Sequence, residues 1–192
     1  MQSTQEPVNI RKIAFAPFIS EPPYLDQESE QVRVVKERFL TDALYNELTN
    51  KVKGVDITSL ETATSEIEKV KEENPGLTYK DTVLRVGKNL DADAVLIGNI
   101  SNYSERRGGD FGVESPASVV FEVQLFNATN GEVIWEAYFN ETQRTLLENV
   151  AEIKKFIKRR AKWITADELA KEGVVEVVNK LNKVLITNSA KN

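Results

Sequence analysis

The chain has 192 residues, of which 41% are hydrophobic and 29% charged, and 25 basic residues against 30 acidic ones give a net charge of -5. It contains no cysteine and no histidine, which excludes disulfides, thiol nucleophiles, imidazole general bases and metal sites built on Cys or His. No apolar run approaches the roughly 18 residues that a membrane span requires. The composition therefore predicts one soluble globular domain that carries no metal or other cofactor.

The N-terminal part predicts a leader, a strand and a long helix. Residues 1–9 are polar and show no hydrophobic period, so we expect them to be flexible. The apolar run at residues 12–19 predicts a buried strand whose regular pairing stops near Pro17. An acidic loop follows, and a helix is expected to begin near Ser29 or Glu30. Its apolar residues recur at three- and four-residue spacing, which predicts a stripe facing the core: Val32, Val35, Phe39, Leu40, Ala43, Leu44 and Leu48.

The middle of the chain predicts alternating helices and strands. Gly54 ends the first helix, and residues 55–58 form a short strand. Two more helices are expected, at residues 62–73 and from Thr78 onward, separated by the breaker at residues 74–76. The most hydrophobic stretch of the chain comes next and is nearly continuous, as expected for a central strand covered by helices on both faces. That stretch is Ala92-Asp93-Ala94-Val95-Leu96-Ile97-Gly98.

A hairpin is predicted from two stretches of alternating apolar and polar residues, 119–126 and 133–140. Both apolar sets can share one face only if the loop between the paired strands has an odd number of residues, because a slip of one residue moves a whole set to the other face. Thr129-Asn130-Gly131 supplies three, with Gly131 suited to a left-handed conformation. The resulting register pairs Leu125 with Trp135, Val123 with Ala137 and Phe121 with Phe139.

The C-terminal part is predicted to form two helices. The first covers about residues 146–162. The second begins with a capping box, because Thr165 stands three residues before Glu168, and Ile164 and Leu169 are placed to form a hydrophobic staple around it. Its apolar positions are Val174, Val177, Val178, Leu181, Val184 and Leu185.

These elements together predict an α/β fold: a central mixed β-sheet of about five strands flanked by helices, with a C-terminal β-hairpin followed by two helices. We expect a flexible leader at residues 1–9, a single domain at residues 10–187 and a polar tail at residues 188–192.

The first candidate site is the glycine- and arginine-rich loop at residues 105–116. Its glycines would let the backbone approach a ligand, its arginines could hold a phosphate or carboxylate, and an aromatic ring could make an exposed contact. The loop matches no phosphate-binding spacing, which favours a mobile connector between strands. The candidate residues are Arg106, Arg107, Asp110, Phe111 and Glu114.

The second candidate site is a basic segment, residues 151–163, which carries six basic residues against one acidic residue. Such an amphipathic segment could rest on anionic lipid or meet an acidic partner, although the solvated face of an ordinary helix is the default interpretation. Nucleic acid is disfavoured because the rest of the chain is acidic. The candidate residues are Lys154, Lys155, Lys158, Arg159 and Trp163.

Two carboxylates, Glu122 and Glu136, share the second face of the predicted hairpin with Gln124 and Tyr138. Paired carboxylates perform acid and base chemistry only in a sheltered cleft. We therefore interpret them as polar residues on a half-exposed sheet face and predict no catalytic residue.

Three segments, at residues 13–18, 91–98 and 125–135, resemble bacterial envelope lipoproteins whose fold is like that of the curli-secretion protein CsgG, the TolB N-terminal domain and the penicillin-binding-protein activator LpoB. Residues 160–170 resemble the ending of a narrower group of uncharacterised lipoproteins. The resemblance covers roughly residues 10–145 and marks strands and a turn, so it bears on fold more than on function.

The resemblance implies a domain that faces the periplasm, anchored to the outer membrane through a lipid-bearing cysteine just before Met1, with residues 2–9 as the tether. The chain lacks an obvious pair of long alternating hairpins that could cross a membrane, so channel activity is not expected. We expect a non-enzymatic domain that binds a protein partner or itself. The alternative hypothesis is a small-molecule or nucleotide-binding domain that uses residues 106–114.

Overall fold

A computed structural model describes residues 9–20, 29–109, 112–142 and 164–189. The helices are α1 (Glu30–Lys51), α2 (Leu60–Glu73), α3 (Tyr79–Asn89) and α4 (Ala166–Ser189). The strands are β1 (Lys12–Phe15), β2 (Ile19–Ser20), β3 (Asp56–Ile57), β4 (Ala94–Ser104), β5 (Arg107–Gly109), β6 (Gly112–Ser115), β7 (Ser118–Asn127) and β8 (Val133–Thr142). None of the helices in these ranges is long and apolar enough to cross a membrane.

The predicted α/β class with a central mixed sheet is confirmed. The sheet has six strands in the order β3-β1-β4-β7-β8, with β2 also paired to β4. Strand β1 runs parallel to β3 and β4, whereas β7 is antiparallel to both of its neighbours, β4 and β8. Strand β4 therefore lies where the parallel and antiparallel halves meet. The predicted hairpin is β7 and β8, and the second of the two helices expected after it is α4.

The sheet separates two apolar cores. On one face, β1, β4, β7 and β8 pack against α1 and α4, with Leu40, Leu96 and Leu169 fully buried. On the other face, Val95 and Phe126 pack against side chains of α2 and α3. Both faces of β4 are thus covered near its start, which explains its continuous hydrophobic sequence.

Helix α4 begins and packs as its sequence predicts. The backbone N–H of Thr165 donates to Glu168 Oε2 at 3.0 Å, and the N–H of Glu168 donates to Thr165 Oγ1 at 3.1 Å, which confirms the capping box. Further along the helix, a Cβ at Gly173 would lie 2.6 Å from a ring carbon of Phe139. The absent side chain therefore sets how closely α4 approaches the sheet.

The hairpin has the predicted register, but a β-bulge rather than a three-residue loop produces it. Leu125 pairs with Trp135, and the register then shifts so that Phe126 pairs with Val133. The shift is a β-bulge at Ile134, beside a turn closed by a hydrogen bond from the Asn127 N–H to the Glu132 carbonyl. A bulge supplies the odd residue that the three-residue loop was predicted to supply. The two other pairs, Val123 with Ala137 and Phe121 with Phe139, are confirmed.

Between β1 and β2, side chains form the hydrogen bonds that the backbone cannot make within the sheet. Pro17 interrupts the ladder there, as predicted, because it has no N–H to donate. The N–H of Phe18 instead donates to Thr41 Oγ1 at 2.8 Å, and that hydroxyl in turn donates to the Glu37 carbonyl. On the opposite side, the Tyr79 hydroxyl donates to the Pro17 carbonyl at 2.6 Å. Helices α1 and α3 therefore both form hydrogen bonds to the segment between β1 and β2.

The structure corrects three expectations. Val32 and Val35 do not face the core but are 44% and 67% exposed, because none of the described elements packs over these side chains in the first turns of α1. Helix α2 begins at Leu60, two residues early, since Ser59 accepts a hydrogen bond from the Thr62 N–H as its cap. The loop expected at residues 105–116 contains the two-stranded β5–β6 ribbon. The leader and the helix expected at residues 146–162 lie outside the described residues, apart from Asn9.

Thr41→Val should destabilise the fold. Valine has nearly the same shape but leaves the buried N–H of Phe18 without its acceptor, so the free energy of unfolding should fall by about 1–3 kcal/mol in urea denaturation. Thr49→Val on the same helix is the matched control, because Thr49 is exposed and bonds only to carbonyls of its own helix. Equal losses in both variants would contradict this role for Thr41.

Tyr79 should make the fold sensitive to alkali. Burial first, and the carboxylate of Glu37 second, raise the pKa of the Tyr79 phenol above its unfolded value of about 10. The contribution of the neutral phenol to the free energy of unfolding is complete below about pH 10. It is lost as the pH rises toward the pKa of Tyr79 in the folded state, by at most about 1.4 kcal/mol per pH unit. Unfolding free energies measured from pH 9 to about 11.5 should therefore fall more steeply for the wild type than for Tyr79→Phe. Parallel curves would contradict the assignment.

Candidate functional site

An apolar groove of about 400 Å³ lies at the end of the sheet where α1 begins. We call it the valine groove, because the exposed side chains of Val32 and Val35 form one wall. The rest of the lining comes from α1, the end of β4, the residue after β4 and the start of α4: Gln31, Lys36, Tyr103, Glu105 and Asp167.

The valine groove arises because the apolar stripe of α1 is longer than the layer that covers it. Leu40, Leu44 and Leu48 are buried against the sheet, but the same helical stripe continues N-terminally through Phe39 to Val35 and Val32. Phe39 marks the boundary, since its half-buried ring meets Tyr103 edge-on with 6.5 Å between ring centroids. The helix therefore presents an apolar surface that its own core does not use.

Hydrogen bonds hold the polar rim of the valine groove in place. The Tyr103 hydroxyl donates to Asp167 Oδ1, and Lys36 Nζ donates to the Tyr103 carbonyl at 2.7 Å. The N–H of Ala166 donates to Glu105 Oε2 at 3.1 Å. The groove thus combines a fixed rim with an apolar wall, an arrangement typical of surfaces that receive an apolar side chain from another molecule.

A second groove, of about 200 Å³, lies on the opposite face of the sheet. We call it the amide groove. Its floor is formed by Ile97, Asn99 and Gln124 on β4 and β7, together with Phe126, and its wall is the start of α3. Lys80 lies on that wall, with its Nζ 4.3 Å from the centroid of the Phe126 ring. The position of the groove follows from the topology, because α2 and α3 cover only one part of this face.

The residues singled out in the glycine-rich segment are only partly placed. Arg106 is half-buried and Arg107 is exposed at the start of β5, while Glu114 lies in β6. Neither arginine lines the valine groove or the amide groove. Asp110 and Phe111 lie outside the described residues, as do all five candidates of the basic segment: Lys154, Lys155, Lys158, Arg159 and Trp163.

The predicted placement of the carboxylates is confirmed, although their role stays a prediction. Glu122 pairs across the strands with Tyr138, and Gln124 pairs with Glu136. In the part of the chain that the structure describes, no group of three or more carboxylates could hold a metal ion.

Sequence reasoning missed both grooves. Periodicity placed Val32 and Val35 on the core stripe, yet five of the nine residues at 30–38 are charged, and that local composition was the available signal of a solvated helix end. Tyr103, Glu105 and Asp167 carried no signal, because they meet only through the tertiary fold.

Comparison with solved structures places the chain among known folds. It superposes on the PelC dodecamer protein of Paraburkholderia phytofirmans with a TM-score of 0.52 and 15% identity, covering 91% of this chain and 89% of that one. The hypothetical protein CT253 of Chlamydia trachomatis gives a TM-score of 0.55 and 10% identity, covering 92% and 98%. The LpoB C-terminal domain of Escherichia coli gives 0.45 and 16%, covering 72% and 88%.

Sequence comparison identifies the family. No curated protein sequence gives a significant match. The family model described as peptidoglycan-synthase activator LpoB matches residues 35–140, which is more than half of the chain and runs from α1 to β8. Of the resemblances noted in the sequence, the one to LpoB is thus confirmed, whereas those to CsgG and TolB stay predictions. The chain belongs to the family of the peptidoglycan-synthase activator LpoB.

Proposed function

We propose that this chain is a non-catalytic domain that binds a peptidoglycan synthase at the cell envelope and stimulates it. The family is described by that activity, and the sequence has neither histidine nor cysteine with which to perform common catalytic chemistry. The periplasmic side of the envelope, where such a synthase meets its substrate, is the expected location. Anchoring through a lipid on the outer membrane stays a prediction from the sequence resemblance.

The exposed wall of the valine groove carries this proposal. Val35 is 67% exposed, more than any other large apolar side chain in the part of the chain that the structure describes. Apolar side chains of the synthase would fill the groove, since its lining is mainly apolar and most of its charged groups stand at the rim. Residues 35–140, which carry the family match, include Val35, Lys36, Tyr103 and Glu105.

Val35→Glu should weaken binding to the synthase by at least about tenfold and reduce its stimulation, because the variant places a charge where an apolar contact is desolvated. Purified peptidoglycan synthase, immobilised for interferometry and assayed for glycan polymerisation, gives both readouts. Ile186→Glu is the matched control: Ile186 is 59% exposed on α4 and lies outside the valine groove. That control should change the affinity by less than about twofold.

Two results would count against the proposal. Wild-type affinity in Val35→Glu would exclude the valine groove as the interface. Failure of the wild-type chain to bind or stimulate any peptidoglycan synthase of its own bacterium would overturn the function itself.

Self-association is a second candidate function, raised by the description of the PelC protein as a dodecamer. The leading proposal needs a different partner, so we expect light scattering to give the mass of one chain at all concentrations up to about 100 μM, well above the Kd of a stable assembly. A defined oligomer would favour the second candidate. In that case Val35→Glu would show whether the valine groove is the contact between copies.

A further inference from the structure

The amide groove contains a buried acceptor for which the described residues supply no donor. Asn99 lies on β4 between Ile19 of β2 and Glu122 of β7, and its side chain lines the groove. Its Oδ1 is buried, and no donor of the described residues lies within hydrogen-bond distance of it. Buried carbonyl oxygens in proteins are nearly always paired, so each exception requires an explanation. A ligand that donates an N–H or O–H here would supply the missing partner.

The charges around the amide groove favour a neutral ligand. Besides Asn99, β7 contributes the acceptors of Glu122 and Gln124, which suits a ligand rich in donors. A cation would also donate and would be attracted by Glu122, but it would be repelled by Lys80, whose ammonium group lies over the ring of Phe126, so the lining offers a cation no net attraction. Hydroxyl and amide N–H groups supply donors without that repulsion.

The floor of the groove adds an apolar requirement. Ile97 and Phe126 are only 8% and 2% exposed, and both lie on the same side of the rung that pairs Asn99 with Glu122. An acetamido group matches this arrangement, because its N–H can donate to Asn99 Oδ1 while its methyl group packs on the apolar floor. The volume of about 200 Å³ is smaller than that of pockets for drug-sized ligands, about 300–1,000 Å³, and suits one sugar ring or its substituent.

We infer that the amide groove binds an N-acetylated amino sugar, with Asn99 accepting from the acetamido N–H and the sugar hydroxyls donating to Glu122 and Gln124. On the same sheet face, Tyr138 pairs across the strands with Glu122 and is 57% exposed. In an oligosaccharide, the neighbouring ring would lie over this aromatic side chain. This inference does not depend on the valine groove, which lies toward the opposite face of the sheet.

The test uses the whole chain alone, with no synthase, and three soluble probes in titration calorimetry. They are the β-1,4-linked tetramer of N-acetylglucosamine, the corresponding glucose tetramer and N-acetylalanine methylamide. We expect the acetylated sugar to bind at least about tenfold more tightly than either of the others, because only it combines the acetamido group with donor hydroxyls. Equal binding of the glucose tetramer would overturn the role of the acetamido group. Equal binding of the amide would assign the groove to peptides instead, and absence of binding to the acetylated sugar would sink the inference.

Two variants locate the binding. Asn99→Leu removes the acceptor but keeps a side chain of similar size. The affinity for the acetylated sugar should fall by at least about tenfold. Its melting temperature should equal or exceed that of the wild type, because a buried unpaired polar atom is removed. Asn140→Ala, an exposed change on the same face of β8 and outside the groove, should leave binding within about twofold. Unchanged affinity in Asn99→Leu, with the fold intact, would contradict the assignment.

Discussion

Strand β4 is the element on which the rest of the structure depends. It is hydrogen-bonded along one edge to β1 and β2 and along the other to β7, so the parallel and antiparallel halves of the sheet are joined only through it. Its first half is buried from both faces, and its backbone can satisfy its N–H and C=O groups only by pairing. The interruption at Pro17 is accommodated beside this strand, with side chains of α1 and α3 supplying partners that the ladder cannot.

The part of the fold that follows from local rules could be predicted from sequence. The capping box at Thr165, the breaker before α3 and the pairing of Leu125 with Trp135 each depend on a few neighbouring residues or on the parity of a strand. The bulge at Ile134 could not be predicted in this way, because a three-residue loop and a bulge satisfy the same parity. Periodicity gave the α1 stripe correctly, but it could not tell how far along the helix the covering layer extends.

The candidate site depended on information that the sequence does not hold locally. The valine groove is made of residues up to 136 positions apart, with Gln31 and Asp167 at the extremes. The amide groove exists because α2 and α3 cover only one part of their face of the sheet. The segments that stand out in the sequence are rich in arginine, lysine and glycine. The structure draws attention instead to ordinary residues in unusual surroundings, namely exposed valines and a buried amide.

Because of the bulge beside the β7–β8 turn, the turn can change length by one residue without changing the register of the two strands. In a tight hairpin, one inserted or deleted residue turns every following side chain to the wrong face. Here Ile134 already stands outside the regular pairing, so a single deletion in the turn could be absorbed by losing the bulge while Trp135, Ala137 and Phe139 kept their partners. Relatives that differ in turn length by one residue could therefore share the same core, and an alignment gap at this turn would mark a change in local geometry only.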